Sequence, residues 1–274
     1  MKQDVLFENK RRGQIKEAAR NNTLVLLPVG ILEEHGPHLP INTDNIIAYD
    51  ISKLVAEKLN DKIPTLVMPT VWAGYHGKEL ADIPGGIRVM PETLFHYVYD
   101  ICESLIRNGF KKIAMVNGHG QNPAILELVT RKIADEFGVN MMVTYPLKMI
   151  GSKEGLKIKR SPEGGAGGHA GEEETALILA LRRELADMSL APEGDRCMHR
   201  TKFFSGDMFP EHETMSFGYF STWAAQGSRS GVLGEPKYAT EEEGRRFLEL
   251  IVGNYVELLT EFYELETQEV TGLD

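Results

Sequence analysis

The sequence predicts an α/β protein, a three-layer α/β/α sandwich with a mostly parallel central sheet. Short apolar runs alternate with stretches of helical period through most of the 274 residues. This order is typical of parallel strands covered by helices on both faces. The residues with the richest chemistry follow the ends of three of these runs, which is where open parallel sheets bind their ligands.

The first half of the chain contains three predicted helices and two predicted strands. Apolar residues recur at helical spacing between Ile46 and Leu59, and Pro91 and Gly109 suit the two ends of another helix. Long loops are expected over 28–44 and 72–86. The helices are expected over 8–21, 44–60 and 91–109, and the strands over 23–29 and 64–71.

The middle of the chain continues the alternation with strands over 112–117 and 139–145. Between them lies a predicted helix with Asn122 as its cap, Pro123 at its first position and Gly138 after its end. These are the residue types that favour the beginning and the end of a helix.

The last part of the chain is expected to close a single domain over 1–274. Thr240 and the glutamates after it are typical of an N-cap followed by an acidic first turn. We expect a loop over 146–168, with a glycine-rich segment over 163–171 and a helix over 172–185. An irregular segment over 186–239 and a final helix over 240–265 follow.

Charge and cysteine content exclude several function classes. The chain has 30 basic and 40 acidic residues, a formal net charge of −10, which argues against binding to nucleic acid or to an anionic membrane. Two cysteines make no disulfide framework. The first residues lack the apolar region of a signal peptide, and no apolar run approaches the roughly 20 residues of a membrane span. We therefore expect a cytoplasmic protein with a small-molecule substrate.

The loop after the first strand is dense in potential metal ligands. It reads Pro-Val-Gly-Ile-Leu-Glu-Glu-His-Gly-Pro-His-Leu-Pro-Ile-Asn-Thr-Asp over 28–44. Glu33 and His35 are two apart, so both point to the same side of an extended segment, and Asp44 is placed to be a helix N-cap. We interpret the segment as a metal-binding loop. The alternative is that Asp44 is only a cap and that His35 and His38 are surface residues.

Two further clusters follow the third and fourth strands. The first contains His119 between two glycines, and the second contains His169 and Glu174. At most one or two of the glutamates over 172–174 can face a site, because successive helical residues point roughly 100° apart. Acidic residues in a first helical turn, or a histidine in a turn, are the alternative explanations.

Together these clusters favour a site with two metal ions. Glutamate, aspartate and histidine without cysteine suit zinc or manganese, and five such ligands exceed the three that are usual at one catalytic zinc. We expect Asp44 to bridge the two ions, which would hold a water as hydroxide and polarise a carbonyl group. His169 is expected to shuttle a proton to the leaving group; the alternative is that it is another ligand.

These motifs resemble those of the creatininase family of metal-dependent amidohydrolases. The similar segments lie in family order at 28–44, 117–122, 169–175 and 231–240. The resemblance implies a Rossmann-like sandwich, two Zn²⁺ or Mn²⁺ ions, with Fe²⁺ as a further candidate, and a homo-oligomer, often a hexamer arranged as a trimer of dimers. The metal ligands that it implies are Glu33, His35, Asp44, His119 and Glu174, and the catalytic residues are His169 and Glu174.

The chain departs from the family pattern in the turn after the metal histidine. The family's namesake has Tyr-Glu-Asn there, with the glutamate as a ligand, whereas this chain has Gly120-Gln121-Asn122. Gln121 would be a neutral ligand, and Glu174 is the alternative for its position. Substrate contacts are expected from Tyr75, His76, Gly120 and Gln121.

The leading hypothesis is hydrolysis of a C–N bond in a small cyclic amide or formamide. The resemblance also admits cleavage of a C–C bond in a cyclic polyol diketone of the 3-dehydro-scyllo-inosose type, because both reactions need hydroxide attack on a carbonyl. A metal-stabilised binding protein without catalysis is a third hypothesis. Loss of catalysis would be indicated by a missing Asp44 or His169, and both residues are present.

Overall fold

The computed structural model describes residues 4–78, 83–162, 168–194, 200–201, 204–205, 228 and 230–265. The strands found there are β1 (Leu24–Val29), β2 (Thr65–Val67), β3 (Lys112–Asn117), β4 (Met141–Thr144), β5 (Arg200–Thr201) and β6 (Phe204–Ser205). The first four form a parallel sheet in the order β2-β1-β3-β4, and the last two pair as a small antiparallel ribbon.

β1 is one of the two inner strands of the sheet, and all six of its residues are buried. Its alternate residues face opposite sides, so that Leu24 and Leu26 pack in one core cluster while Leu27 and Val29 pack in another. This burial on both faces explains its continuous apolar sequence. At its carboxyl end Val29 stands opposite Asn117 of β3, so the loops after β1 and β3 begin side by side.

Helices cover both faces of the sheet, which confirms the three-layer α/β/α sandwich. In the described part of the chain the helices are α1 (Arg12–Arg20), α2 (Thr43–Leu59), α3 (Pro91–Arg107), α4 (Pro123–Phe137), α5 (Lys153–Ile158), α6 (Glu172–Leu181) and α7 (Glu241–Glu264). One core cluster packs α2, α6 and α7 against one face of the sheet, and another packs α3 and α4 against the other face.

The helix boundaries at Thr240 and Gly138 are confirmed. Thr240 Oγ1 accepts a hydrogen bond from the Glu243 N–H (3.2 Å), and Glu243 Oε2 accepts one from the Thr240 N–H (3.2 Å), which is a complete capping box. Gly138 ends α4 in the left-handed conformation with a φ of 64°.

The prediction that Asp44 is an N-cap was wrong. α2 begins one residue earlier, at Thr43, with Asn42 in the cap position. Thr43 joins the helix because its N–H and its hydroxyl both donate to the carbonyl of Pro40 (3.2 and 2.7 Å). Asp44 is consequently the second helical residue, and its carboxylate is available to other groups.

Other boundaries also differ from the expected ones. β2 ends at Val67, and only an isolated bridge between Val71 and Val29 continues it. The expected loop over 146–168 contains α5, whose first turn is capped when Ser152 Oγ accepts from the Gly155 N–H (3.2 Å). α6 ends at Leu181, four residues before its predicted end.

Parts of two predicted segments lie outside the described residues. These are 163–167 of the glycine-rich segment and most of the irregular segment over 186–239. Among the described helices, none combines the length and the apolar character needed to span a membrane. The single domain over 1–274 stays a prediction.

The contact between α6 and α7 depends on Gly244. A Cβ at this position would lie 1.8 Å from the carbonyl oxygen of Ala176, whereas a Cβ at Gly253 of the same helix would meet nothing within 4 Å. We predict that Gly244→Ala lowers the free energy of unfolding by at least about 1–3 kcal/mol through overpacking. Gly253→Ala, the matched control, should raise it by up to about 1 kcal/mol. Urea denaturation measures both, and equal effects would contradict the close approach of the two helices.

Candidate metal centre

The loop after β1 places its ligands through backbone contacts. The Glu33 N–H donates to the carbonyl of Ile41 (3.0 Å). Gly36 turns the chain with a φ of 63°, and a Cβ there would lie 2.5 Å from Val232 Cγ2, so a glycine is required. As the two-residue spacing predicted, Glu33 and His35 both enter the same site.

A first group of potential ligands joins the loop, the start of α2 and the turn after β3. His119 Nδ1 lies 2.9 Å from Asp44 Oδ2 and 3.2 Å from Glu33 Oε2. All three side chains are buried. Gly118 permits this approach, because a Cβ there would lie 2.2 Å from the carbonyl oxygen of Asp44.

A second group joins His35 to the start of α6. His35 Nε2 lies 3.7 Å from Glu174 Oε2, and the centroids of the His35 and His169 rings are 4.3 Å apart. The Ala170 N–H donates to Glu174 Oε2 (2.6 Å). The backbone of His169 exchanges two hydrogen bonds with Leu233 (3.2 and 2.8 Å), so a segment distant in sequence holds this histidine in place.

Two carboxylates connect the groups. Asp44 Oδ1 lies 3.1 Å from His35 Nε2, while its Oδ2 contacts His119. Glu33 likewise has Oε2 near His119 and Oε1 3.7 Å from His169 Nδ1. The six side chains therefore form one continuous cluster in which Asp44 and Glu33 each contact both halves.

Each of the three histidines uses its other ring nitrogen to bind a backbone carbonyl. The pairs are His35 Nδ1 with Glu33 O (3.1 Å), His119 Nε2 with Tyr75 O (2.9 Å) and His169 Nε2 with Glu34 O (2.7 Å). A carbonyl only accepts, so we infer that these nitrogens carry the proton. When a ring is neutral, its remaining nitrogen directs a lone pair into the cluster of carboxylates. A metal ion there could bind both the nitrogen and the carboxylates, as in other metal sites with histidine ligands.

The cluster fits divalent metal ions. In each group of three, ligand atoms lie within 4.8 Å of one another. Both carboxylate oxygens of Glu33 and the Nε2 of His35 are buried, and none of these atoms has a hydrogen-bond partner among the residues that the structure describes. A buried carboxylate without compensation is costly, and a cation between these atoms would compensate it. The oxygen and imidazole donors suit zinc or manganese.

The pKa values show the same demand for positive charge. Burial alone would lower the pKa of His35, but the carboxylates of Asp44, Glu174 and Glu33 outweigh it and raise this pKa to about 10. At His119, burial is again opposed, here by Glu33 and Asp44, and the pKa rises to about 9. Without metal, protons on the histidines partly neutralise the carboxylates.

Asn122 is the N-cap residue of α4, as predicted, but its side chain makes no capping bond. Its Oδ1 accepts from the Tyr75 N–H (3.0 Å), and its Nδ2 donates to Asn117 Oδ1 (3.1 Å) and to the carbonyl of Gly30 (3.3 Å). It therefore fastens the loop after β2 to the ends of β1 and β3. Nothing in the spacing of the sequence indicates this role.

The structure brings Glu33, His35, Asp44, His119, His169 and Glu174 together, as the sequence predicted. Two of the four expected substrate contacts make hydrogen bonds around this cluster, and the other two are described by the space around them and by their burial. Tyr75 offers its backbone to His119 and Asn122, and Gln121 Oε1 accepts from the Gly77 N–H (2.9 Å). A Cβ at Gly120 would meet nothing within 4 Å, and His76 is fully buried.

Sequence reasoning missed His38 and Glu34. The alternative that His35 and His38 are surface residues was wrong, since both are buried. His38 Nε2 lies 2.9 Å from Thr175 Oγ1, and burial followed by the nearby His35 lowers the pKa of His38 to about 4. Glu34 orients His169 through its backbone carbonyl. The density of histidine and glutamate in the loop indicated that such residues matter there. The positions of His38 and Glu34 within the loop did not indicate which contacts they make.

Comparison with known proteins identifies relatives along most of the chain. A family model described as creatininase, creatinine amidohydrolase, matches residues 8–259. The creatinine amidohydrolase of Pseudomonas putida is 27% identical over 89% of this chain and 91% of its own length. A 3-dehydro-scyllo-inosose hydrolase of Thermotoga maritima is 30% identical over 65% of this chain and 56% of its own. A mycofactocin precursor peptide peptidase of Mycolicibacterium smegmatis is 30% identical over 84% of this chain and 82% of its own length.

Solved structures show the same fold. A putative creatinine amidohydrolase from Bacteroides fragilis superposes with a TM-score of 0.79 at 25% identity, over 98% of this chain and all of the other. A structure described as creatininase Mn has a TM-score of 0.77 at 25% identity, over 96% of this chain and all of the other.

The raised histidine pKa values predict alkaline instability of the metal-free protein. His35 and His119 titrate near 10 and 9 when folded, against about 6.5 when unfolded. Their stabilising effect is complete below pH ~6.5 and is lost as the pH rises through 9 and 10. We predict that the melting temperature of chelator-treated protein falls over this range, and that it falls less in His119→Asn, which lacks one of the two rings. The same decline in both proteins would contradict the prediction.

Proposed function

The chain belongs to the creatininase family of metal-dependent hydrolases, and on that premise we propose that it uses two divalent ions to hydrolyse a C–N bond of a small cyclic amide or formamide. One observation carries the proposal: two groups of three buried ligands, each with a histidine and a carboxylate, share the contacts of Asp44 and Glu33. Two of the three relatives are named for amide hydrolysis, as an amidohydrolase and a peptidase.

The residues themselves suggest how the ions would be held. Glu33, Asp44 and His119 would hold one ion, and His35 and Glu174, with Asp44 in common, would hold the other. When bound, such ions activate a water molecule and polarise a carbonyl group. Zinc and manganese are the candidates, in agreement with the donor atoms and with the manganese form of creatininase.

His169 is proposed to move the proton of the reaction. Its Nε2–H is fixed by the carbonyl of Glu34, so Nδ1 is the atom that would accept a proton from the attacking water and donate it to the leaving nitrogen. Leu233 holds its backbone, which keeps the ring in this orientation. The geometry would also suit His169 as a third ligand of the second group. The two roles predict different metal contents when His169 is replaced.

A second candidate function is favoured by one relative. The 3-dehydro-scyllo-inosose hydrolase is 30% identical over 181 residues, and the substrate in its name is an oxidised cyclic polyol. Cleavage of a C–C bond beside a ketone would use the same ions and the same proton carrier. The homo-oligomer stays a prediction from the family resemblance, and the charge of −10 argues only against nucleic acid and an anionic membrane as partners.

The proposal predicts turnover that depends on Asp44. Zinc- or manganese-loaded protein should hydrolyse at least one member of a panel of cyclic amides, including creatinine, and of formamides, and Asp44→Asn should lose both activity and bound metal from about two ions per chain. Asp50→Asn is the matched control, because Asp50 lies on the same helix but is paired with Arg182 (2.8 Å). Turnover of keto-inositols alone would favour the second candidate, and full metal content with normal activity in Asp44→Asn would rule out its proposed role.

Replacement of His169 separates its two roles. We predict that His169→Ala keeps its metal content and slows turnover by roughly 10²–10⁴-fold, the usual contribution of a general acid–base. His96→Ala, which removes an exposed histidine on α3, should change neither. Metal analysis beside steady-state kinetics decides the matter: loss of an ion from His169→Ala would make His169 a ligand.

A further inference from the structure

A short segment after β2 lies against the turn that carries His119. Three hydrogen bonds join them: His119 Nε2 to Tyr75 O (2.9 Å), Tyr75 N–H to Asn122 Oδ1 (3.0 Å) and Gly77 N–H to Gln121 Oε1 (2.9 Å). The segment is therefore fixed directly to a residue of the candidate metal centre. Its middle residue, His76, takes no part in these three bonds.

His76 has a defined orientation and one unused nitrogen. Its ring Nδ1 donates to the carbonyl of Gly77 (2.9 Å), and its own carbonyl accepts from Arg88 Nη1 (2.9 Å). The side chain is fully buried, and Nε2 has no hydrogen-bond partner among the described residues. In a neutral ring whose Nδ1 carries the proton, Nε2 is an acceptor.

Gln121 presents the complementary group. The Gly77 N–H fixes its Oε1, so the amide cannot exchange its ends without loss of that bond. Its Nε2, which carries two N–H donors, is buried and also lacks a partner in the described part of the chain. Leaving such groups unsatisfied is costly, and native structures retain few of them unless they have a function.

We propose that His76 Nε2 and Gln121 Nε2 bind the neutral N–H and C=O groups of the amide substrate. This inference rests on the proposed function and assigns its substrate recognition. Gln121 would donate to a carbonyl oxygen and His76 would accept an N–H, so the two side chains together offer the donor and the acceptor that the polar groups of an amide need. A carboxylate or phosphate would instead place negative charge against the lone pair of His76 and near the buried carboxylates of the metal centre.

The departure of this chain from the family pattern supports the assignment. A glutamate at position 121 would offer no hydrogen-bond donor at neutral pH, whereas Gln121 offers two. The same side chain keeps its acceptor on Gly77. An amide is thus the residue type that can both hold the segment over 75–77 and donate to a ligand.

Two unreactive ring compounds test the pair. 2-Pyrrolidinone has an N–H beside its carbonyl, and cyclopentanone has a CH₂ in the same place. Ligand-observed NMR on the zinc-loaded full chain gives the affinity of each, and the ratio of the two affinities reports recognition of the N–H. We expect His76→Phe to lower that ratio by about 10-fold or more, because its ring cannot accept. His76→Gln, whose carbonyl can accept, should keep most of the ratio.

Gln121→Glu keeps an acceptor for Gly77 but removes the donors, so it should weaken the binding of both compounds by a similar factor. His96→Phe, an exposed ring on α3, should leave both affinities unchanged. Bound zinc per chain, measured for every variant, should equal that of the unaltered protein. Melting temperatures show which variants are folded, and only folded variants are compared. Positions 76 and 121 provide two separate tests of the pair.

Three results would overturn the inference: an unchanged ratio in His76→Phe, unchanged affinities in Gln121→Glu, or no binding of either compound to the unaltered protein. A changed zinc content in Gln121→Glu, whether higher or lower, would also overturn it, since position 121 would then belong to the metal centre. None of these measurements requires turnover. The proposed function can therefore fail in the substrate panel while the recognition pair stands, and the reverse can also occur.

Discussion

The structure is organised around buried negative charge that needs positive charge beside it. Asp44 lies between His35 and His119, with one carboxylate oxygen directed to each, and its pKa is lowered because both histidines oppose the effect of burial. Within the described part of the chain, the carboxylate of Glu33 accepts no hydrogen bond. Protons can supply part of the missing charge, and two divalent ions can supply all of it. Without such compensation, the burial of these carboxylates would lower the stability of the fold.

The register of the sheet is what brings these charges together. Val29 stands opposite Asn117, so the ligand loop after β1 and the turn after β3 start at the same level. α2 then directs its first turn back across them, and the close approach of Gly118 to the backbone of Asp44 leaves no room for a Cβ. The ligands are far apart in sequence, but each is at most a few residues from the end of a parallel strand or the start of a helix.

The sequence was sufficient for the elements whose signals are local. Continuous apolar runs predicted β1 and β3, Thr240 and the acidic turn after it predicted the start of α7, and the dense loop predicted Glu33 and His35 as partners. Asp44 was predicted as both a cap and a ligand, and only its position as a ligand candidate agrees with the structure, because Pro40 draws Thr43 into the helix. The role of Asn122 could not be predicted, since it depends on contacts with Gly30 and Tyr75, which are remote in sequence.

The three glutamates at the start of α6 show why residue type alone does not define a site. All are buried, yet they meet different partners. Glu174 faces His35, whereas Glu172 accepts from the backbone N–H groups of Arg160 and Ser161 and pairs with Glu243. Burial, followed by that neighbouring carboxylate, raises the pKa of Glu243 to about 9, so Glu243 holds a proton at neutral pH. The first turn of α6 thus directs one glutamate towards the backbone N–H groups over 160–161 and the protonated Glu243 of α7, and another towards the metal centre.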